Sequence, residues 1–105
     1  MTPENDQNSL MDIIDPDIIE IPINGIIDLH TFNPRELNDL LNDYFKACIE
    51  KSIFDIRIIH GKGKGVMQKR VWALLKKNPL VESFQFAPLE AGSWGATIAR
   101  LKNRS

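Results

Sequence analysis

The β-branched run Ile56-Arg57-Ile58-Ile59 passes without a break into His60-Gly61-Lys62-Gly63-Lys64-Gly65, after which Met67, Val71, Leu74 and Leu75 recur at helical spacing. That junction constrains the fold more than any other stretch. The β-branched run reads as a strand, the recurrence as an amphipathic helix, and the three alternate glycines as a tight loop between them. A strand leading straight into a helix is the first half of a strand–helix–strand crossover, which implies parallel strands in one sheet.

The same grammar appears upstream. Gly25-Ile26-Ile27-Asp28-Leu29-His30 is a short β-branched run after a turn signal. Asn33, Pro34 and Glu36 then mark a helix start: Asn caps, Pro takes the first helical position and Glu sits three after the cap. Leu37, Leu40, Leu41, Tyr44, Phe45 and Cys48 make one apolar stripe. Downstream, Asn78-Pro79 stops the second helix, and Val81 to Phe86 is a third strand in which Val81, Ser83 and Gln85 alternate with Glu82, Phe84 and Phe86. Ala91-Gly92-Ser93-Trp94-Gly95 is a turn, and Ala96-Thr97-Ile98-Ala99-Arg100-Leu101 is the last strand.

The order is βαβαββ. Crossovers are nearly always right-handed, so a sheet that grows in one direction puts both helices on one face. The expected fold is an α/β (α+β) two-layer sandwich with a mixed four-stranded sheet. Ligands gather beyond the carboxyl ends of parallel strands. His30 and His60 end the first two strands, and an antiparallel last strand would open its Gly92 to Gly95 turn at the same edge. Three separate segments are therefore expected to converge there.

At 105 residues the chain is long enough for one domain and too short for two. Its net charge of -1 conceals a strong asymmetry. Residues 1–20 hold six of the 14 acidic residues (Glu4, Asp6, Asp12, Asp15, Asp17, Glu20) and no Lys or Arg, so the remainder sets 13 basic residues against eight acidic ones. Between Asp55 and Glu82 there is no acid, while Arg57, Lys62, Lys64, Lys69, Arg70, Lys76 and Lys77 fall in that interval. Residues 1–20 read as a mostly disordered acidic arm, with Ile13-Ile14 and Ile18-Ile19 as docking points, ahead of an ordered domain over 21–105. A single cysteine, Cys48, excludes an internal disulfide. No apolar run approaches the roughly 20 residues that span a bilayer, and no secretory signal is recognisable, so a cytoplasmic location without membrane contact is the expectation.

Residues 60–65 carry the clearest chemistry. The glycines let backbone approach a ligand closely, the lysines supply positive charge, and the following helix offers free N–H groups at its positive end. Gly61, Lys62, Gly63, Lys64 and Gly65, with Lys69 and Arg70 just beyond, are thus candidates for phosphate binding; the competing reading is a solvated basic loop. Neither a P-loop nor a GxGxxG register fits, which argues against ATP and for a polymeric phosphate backbone. Asp28 and His30 are two apart on a strand and point the same way, so the carboxylate can orient the imidazole for acid–base work, although a purely structural pair fits equally well. His60 either takes part in proton transfer or phosphate contact, or holds the loop. Trp94 either stacks on a base or anchors the turn on the sheet edge. Trp72 and Cys48 are assigned to packing. Two histidines, one cysteine and scattered acids provide no metal-ligand cluster, so neither metal nor other cofactor is expected.

Ile27-Asp28-Leu29-His30, His60-Gly61-Lys62-Gly63 and Gly92-Ser93-Trp94-Gly95-Ala96-Thr97 resemble the three signatures of the Smr (small MutS-related) domain family: LDLH followed by Gly, HGxG, and GGxGxT. The resemblance covers roughly residues 26–101. Thr31 stands where Gly often follows the histidine, and Ser93 replaces the second Gly of the last motif, which asks Ser93 for a conformation that Gly takes more easily. The resemblance implies a fold similar to the C-terminal domain of translation initiation factor 3. It also implies an endonuclease acting on DNA in some relatives and on messenger RNA at stalled ribosomes in others. Relatives often carry the domain at the end of a MutS-like protein; here it is expected to stand alone, without an ATPase.

The reading that follows is a metal-independent endonuclease. Asp28, His30 and His60 are its catalytic candidates, the basic loop and Trp94 its nucleic-acid contacts, and Gly92, Gly95 and Thr97 the wall beside them. The rivals are a module that binds nucleic acid without cutting it and a ribosome-associated protein-interaction domain.

Overall fold

The computed structural model describes residues 21–63 and 65–103; the expectations for residues 1–20 and for Lys64 lie outside the described residues. Strand β1 (Ile26–Asp28) leads through a 3-10 turn (Pro34–Glu36) into helix α1 (Leu37–Glu50), followed by β2 (Asp55–Ile59), α2 (Val66–Lys77), β3 (Val81–Phe86) and β4 (Ala96–Leu101). This is the βαβαββ order. The helix start at Asn33 has the expected form: its side chain accepts from the Arg35 N–H at 2.9 Å, and the Glu36 carboxylate accepts from the Asn33 N–H at 3.3 Å. Such a cap contributes about 1 kcal/mol. The first turn is 3-10 rather than α, because the Glu36 N–H bonds back to the Asn33 carbonyl.

The sheet order is β1-β2-β4-β3, with β1 parallel to β2 and β4 antiparallel to both of its neighbours. The two crossovers step the same way across the sheet, which places both helices over one face. The core agrees. Leu37, Leu41, Tyr44, Phe45 and Cys48 of α1 and Val71 and Leu75 of α2 bury against Ile27, Leu29, Ile56, Ile58, Ala99 and Leu101 in one cluster. Each large aliphatic or aromatic side chain buried there contributes roughly 1.5–3 kcal/mol. The other face is polar, with Asp28, Asp55, Ser83, Gln85 and Arg100 exposed. The Arg100–Asp55 pair across that face, at 3.1 Å and open to water, is worth less than about 1 kcal/mol.

Two contacts fix where β1 begins. The Tyr44 hydroxyl accepts from the Gly25 N–H at 3.0 Å and donates to the Ile26 carbonyl at 3.2 Å. Gly25 has φ +90, and a Cβ there would lie 3.1 Å from Ile53 Cγ2, so the entry to β1 requires glycine on two grounds. In β3 the simple alternation fails at its start. A register shift between Val81 and Ser83 makes Glu82 the extra residue, so Val81 pairs with Leu101 and packs on the core. Among the described residues no helix is long and apolar enough to cross a membrane.

Candidate active site

Strands β1, β2 and β3 end at one edge of the sheet, and β4 starts there. Asp28 is in register with Ile59, and the Leu29 N–H donates to the Ile59 carbonyl at 2.9 Å. His30 and His60-Gly61 thus leave adjacent strands side by side, about one strand spacing of ~4.8 Å apart in backbone. On the other flank of β2, the Gly95 carbonyl accepts from both the His60 N–H (3.1 Å) and the Gly61 N–H (2.8 Å). The three segments converge as the sequence led one to expect.

Asp28 Oδ1 accepts twice from His30, from its backbone N–H at 3.0 Å and from ring Nδ1 at 2.6 Å. These hydrogen bonds, the backbone one foremost, hold the Asp28 carboxyl below its ordinary range. An ionised carboxylate only accepts, so the proton of the 2.6 Å contact sits on Nδ1 of His30. In the neutral ring that arrangement leaves the lone pair on Nε2, on a side chain that is 71% exposed.

His60 is the opposite case. Only 7% of it is exposed, and both ring nitrogens are engaged inside the protein. Nδ1 lies 3.1 Å from the Gly61 carbonyl, and Nε2 lies 2.8 Å from Thr97 Oγ1, which also accepts from Trp72 Nε1 at 2.8 Å. One proton arrangement satisfies all three groups. His60 donates through Nδ1 to Gly61, the Thr97 hydroxyl donates to Nε2, and the donor-only indole of Trp72 donates to Thr97. That arrangement contains a neutral imidazole, and burial indeed pushes the His60 pKa down, against a smaller upward pull from the Gly61 carbonyl. Sequence reading left Trp72 to packing and gave Phe86 no role. Both belong here, since the Trp72 ring packs on Phe84 (5.0 Å) and Phe86 (4.7 Å), and Phe86 sets its edge toward His60 at 6.5 Å. A β-strand aromatic at the end of β3, opposite Thr97, was the available signal.

The glycine loop rides over the turn before β4. Gly61 (φ +87) and Gly65 (φ +81) adopt left-handed conformations, and Gly63 is exposed with open space beside it. Gly65 caps α2 without a side-chain bond, leaving the first helical N–H groups available to a ligand. A Cβ on Gly95 would stand 3.0 Å from Lys62 Cγ, so this glycine admits the Lys62 stem. The Lys62 ammonium rests 4.4 Å from the centre of the Trp94 ring, an exposed cation–π contact worth roughly 0.5–1 kcal/mol. Trp94 is itself 56% exposed, which leaves ring surface open to a ligand. Gly92 (φ +117) begins the turn, and Ser93 takes φ 54, the left-handed conformation its replacement of glycine demanded. Lys69 and Arg70 are exposed on the outer surface of α2, where they line a shallow depression with Val66 and Ala73. Among the described residues, no three His, Cys, Asp or Glu side chains are grouped to hold a metal ion.

The Smr domain model matches residues 27–102, from the strand that carries Asp28 through the end of β4. The chain belongs to the Smr domain family. The Smr match includes all three segments of the edge. Among curated relatives, the chain is 36% identical over 76 residues to an endonuclease MutS2 of Carboxydothermus hydrogenoformans, covering 72% of this chain and 10% of that protein. It is 40% identical over 69 residues to an endonuclease MutS2 of Halothermothrix orenii, covering 66% and 8%. The chain thus spans about one tenth of the length of these relatives. Two solved Smr structures share the fold at a TM-score of 0.69. The Smr domain of Thermus thermophilus MutS2 is 25% identical and aligns over 75% of this chain and 99% of its own. YdaL, a stand-alone small MutS-related protein from Escherichia coli, is 18% identical and aligns over 97% and 81%.

Proposed function

We propose that this Smr domain binds nucleic acid at the edge where β1 and β2 end and cleaves its phosphodiester backbone there. The observation that carries the reading is the Asp28–His30 pair. Its carboxylate orients the ring, and its exposed Nε2 follows the strand next to the one that opens into the cationic glycine loop. On RNA, Nε2 takes the proton of a ribose 2′-hydroxyl, whose oxygen attacks the phosphorus; the bond to the 5′-oxygen breaks, and that oxygen takes a proton from water. On DNA, Nε2 takes the proton from an attacking water instead. Lys62, with the N–H groups at the α2 start, stabilises the charge that develops on the phosphate. Lys69 and Arg70 extend the positive surface along the strand. His60 serves as a strut rather than an acid or base, because its nitrogens are committed to Gly61 and Thr97. The endonuclease name of the MutS2 relatives agrees with this assignment.

A binding module without cleavage draws on one observation, that His60 has no free nitrogen and leaves a single imidazole for proton transfer. Incubation of the purified chain with supercoiled plasmid and with a structured RNA, with and without chelator, separates the two. Products that vanish in a His30→Ala variant support cleavage, and salt-sensitive binding without products supports the module.

A further inference from the structure

Among the described residues, five large apolar side chains are exposed, and four of them ring the functional edge. Val66 (67% exposed) opens α2 just after the glycine loop, Phe86 (41%) ends β3, Leu89 (83%) follows it, and Trp94 (56%) precedes β4. Single exposed apolar residues are ordinary, but a cluster at one functional edge marks a surface that a ligand covers. A duplex offers that cluster phosphates, sugars and the edges of bases in its grooves, while the base faces stay stacked out of reach. An unpaired strand offers the flat faces of its bases, which stack on aromatic rings whatever the sequence.

Resting on the nucleic-acid reading above, we infer that the site takes an unpaired strand, with one base stacked on Trp94 and the adjoining phosphate held by Lys62. The two residues are already coupled. Lys62 lies on Trp94, its stem passes over Gly95, and Gly95 is hydrogen-bonded to the loop that carries Lys62. The ring and the cation are therefore presented together, and a nucleotide docked on them places its phosphate at the sheet edge where β2 ends and β4 starts. Ser93 contributes by holding φ 54, which turns the chain so that the next side chain, Trp94, stands outward.

The test uses the full chain carrying His30→Ala, so that substrate persists during binding. A labelled single-stranded oligonucleotide and the blunt duplex of the same sequence are titrated at several salt concentrations. Tighter binding of the single strand is expected. Trp94→Ala should weaken that binding on the order of 10-fold or more, and Trp94→Phe should restore most of it. The salt slope should stay unchanged in Trp94→Ala and fall by about one ion in Lys62→Ala. Equal affinity of Trp94→Ala and its parent for the single strand, or preference for the duplex, overturns the inference. Cleavage by the His30 protein is scored in parallel. Loss of binding in Trp94→Ala with no cleavage anywhere would retain the stacking site and remove the nuclease; absence of any nucleic-acid binding would remove both.

Discussion

The hydroxyl of Thr97 lies 2.8 Å from Nε2 of His60, and through it a strand residue determines the state of a loop histidine. The same oxygen accepts from Trp72, so one threonine fastens β4 to the end of β2 and to α2 beneath the candidate site. Thr97 is fully buried, and water cannot replace it without a cavity.

Thr97→Val should therefore destabilise the domain by about 1–3 kcal/mol. The shape is kept, but a buried imidazole nitrogen and a part-buried indole N–H lose their partner. Thr97→Ser should recover most of that loss. Chemical denaturation of the three proteins at pH 7 checks the order.

His60 also predicts a pH dependence. Burial lowers its pKa in the folded state, so between the ordinary value of 6.5 and that lowered value the unfolded chain binds more protons than the native one. The stabilisation is complete above 6.5 and is lost as pH falls through the folded value. Denaturation midpoints should fall from pH 7 to pH 5. A His60→Gln variant, though less stable throughout, should show a flatter profile over the same interval. Asp28 does not confound the comparison, because its lowered pKa keeps it ionised across that range.

Ser93 carries a local strain that glycine would relieve. A left-handed conformation costs a non-glycine residue roughly 1–2 kcal/mol, against about 0.5–1 kcal/mol for the added freedom of glycine in the unfolded chain. Ser93→Gly should thus raise stability by up to about 1.5 kcal/mol. Thermal melts of the two proteins decide it, with a lower midpoint for Ser93→Gly counting against the argument.

What the sequence made legible followed from local rules. The asparagine–proline–glutamate start of α1, the limits of β3 and β4, and the shared direction of Asp28 and His30 all depend on neighbours within a few residues. The insertion of β4 between β2 and β3 does not, because pairing across the sheet is a long-range choice. The bulge at Glu82 likewise answers to the partner strand. The site divides in the same way. Asp28 and His30 are two residues apart and could be paired by inspection, whereas Trp72 and Thr97 are 25 apart on different elements, and their bond required the packed fold. His60 had two open roles until the depth at which β2 ends was known.

Catalysis by the Asp28–His30 pair is the claim on which the functional account turns. Cleavage of single-stranded RNA and DNA oligonucleotides under single-turnover conditions, with binding measured on the same samples, tests it most directly. His30→Ala should bind like the parent yet cleave about 10²-fold or more slowly, with Asp28→Asn falling between them. Equal cleavage rates for His30→Ala and the parent would contradict it.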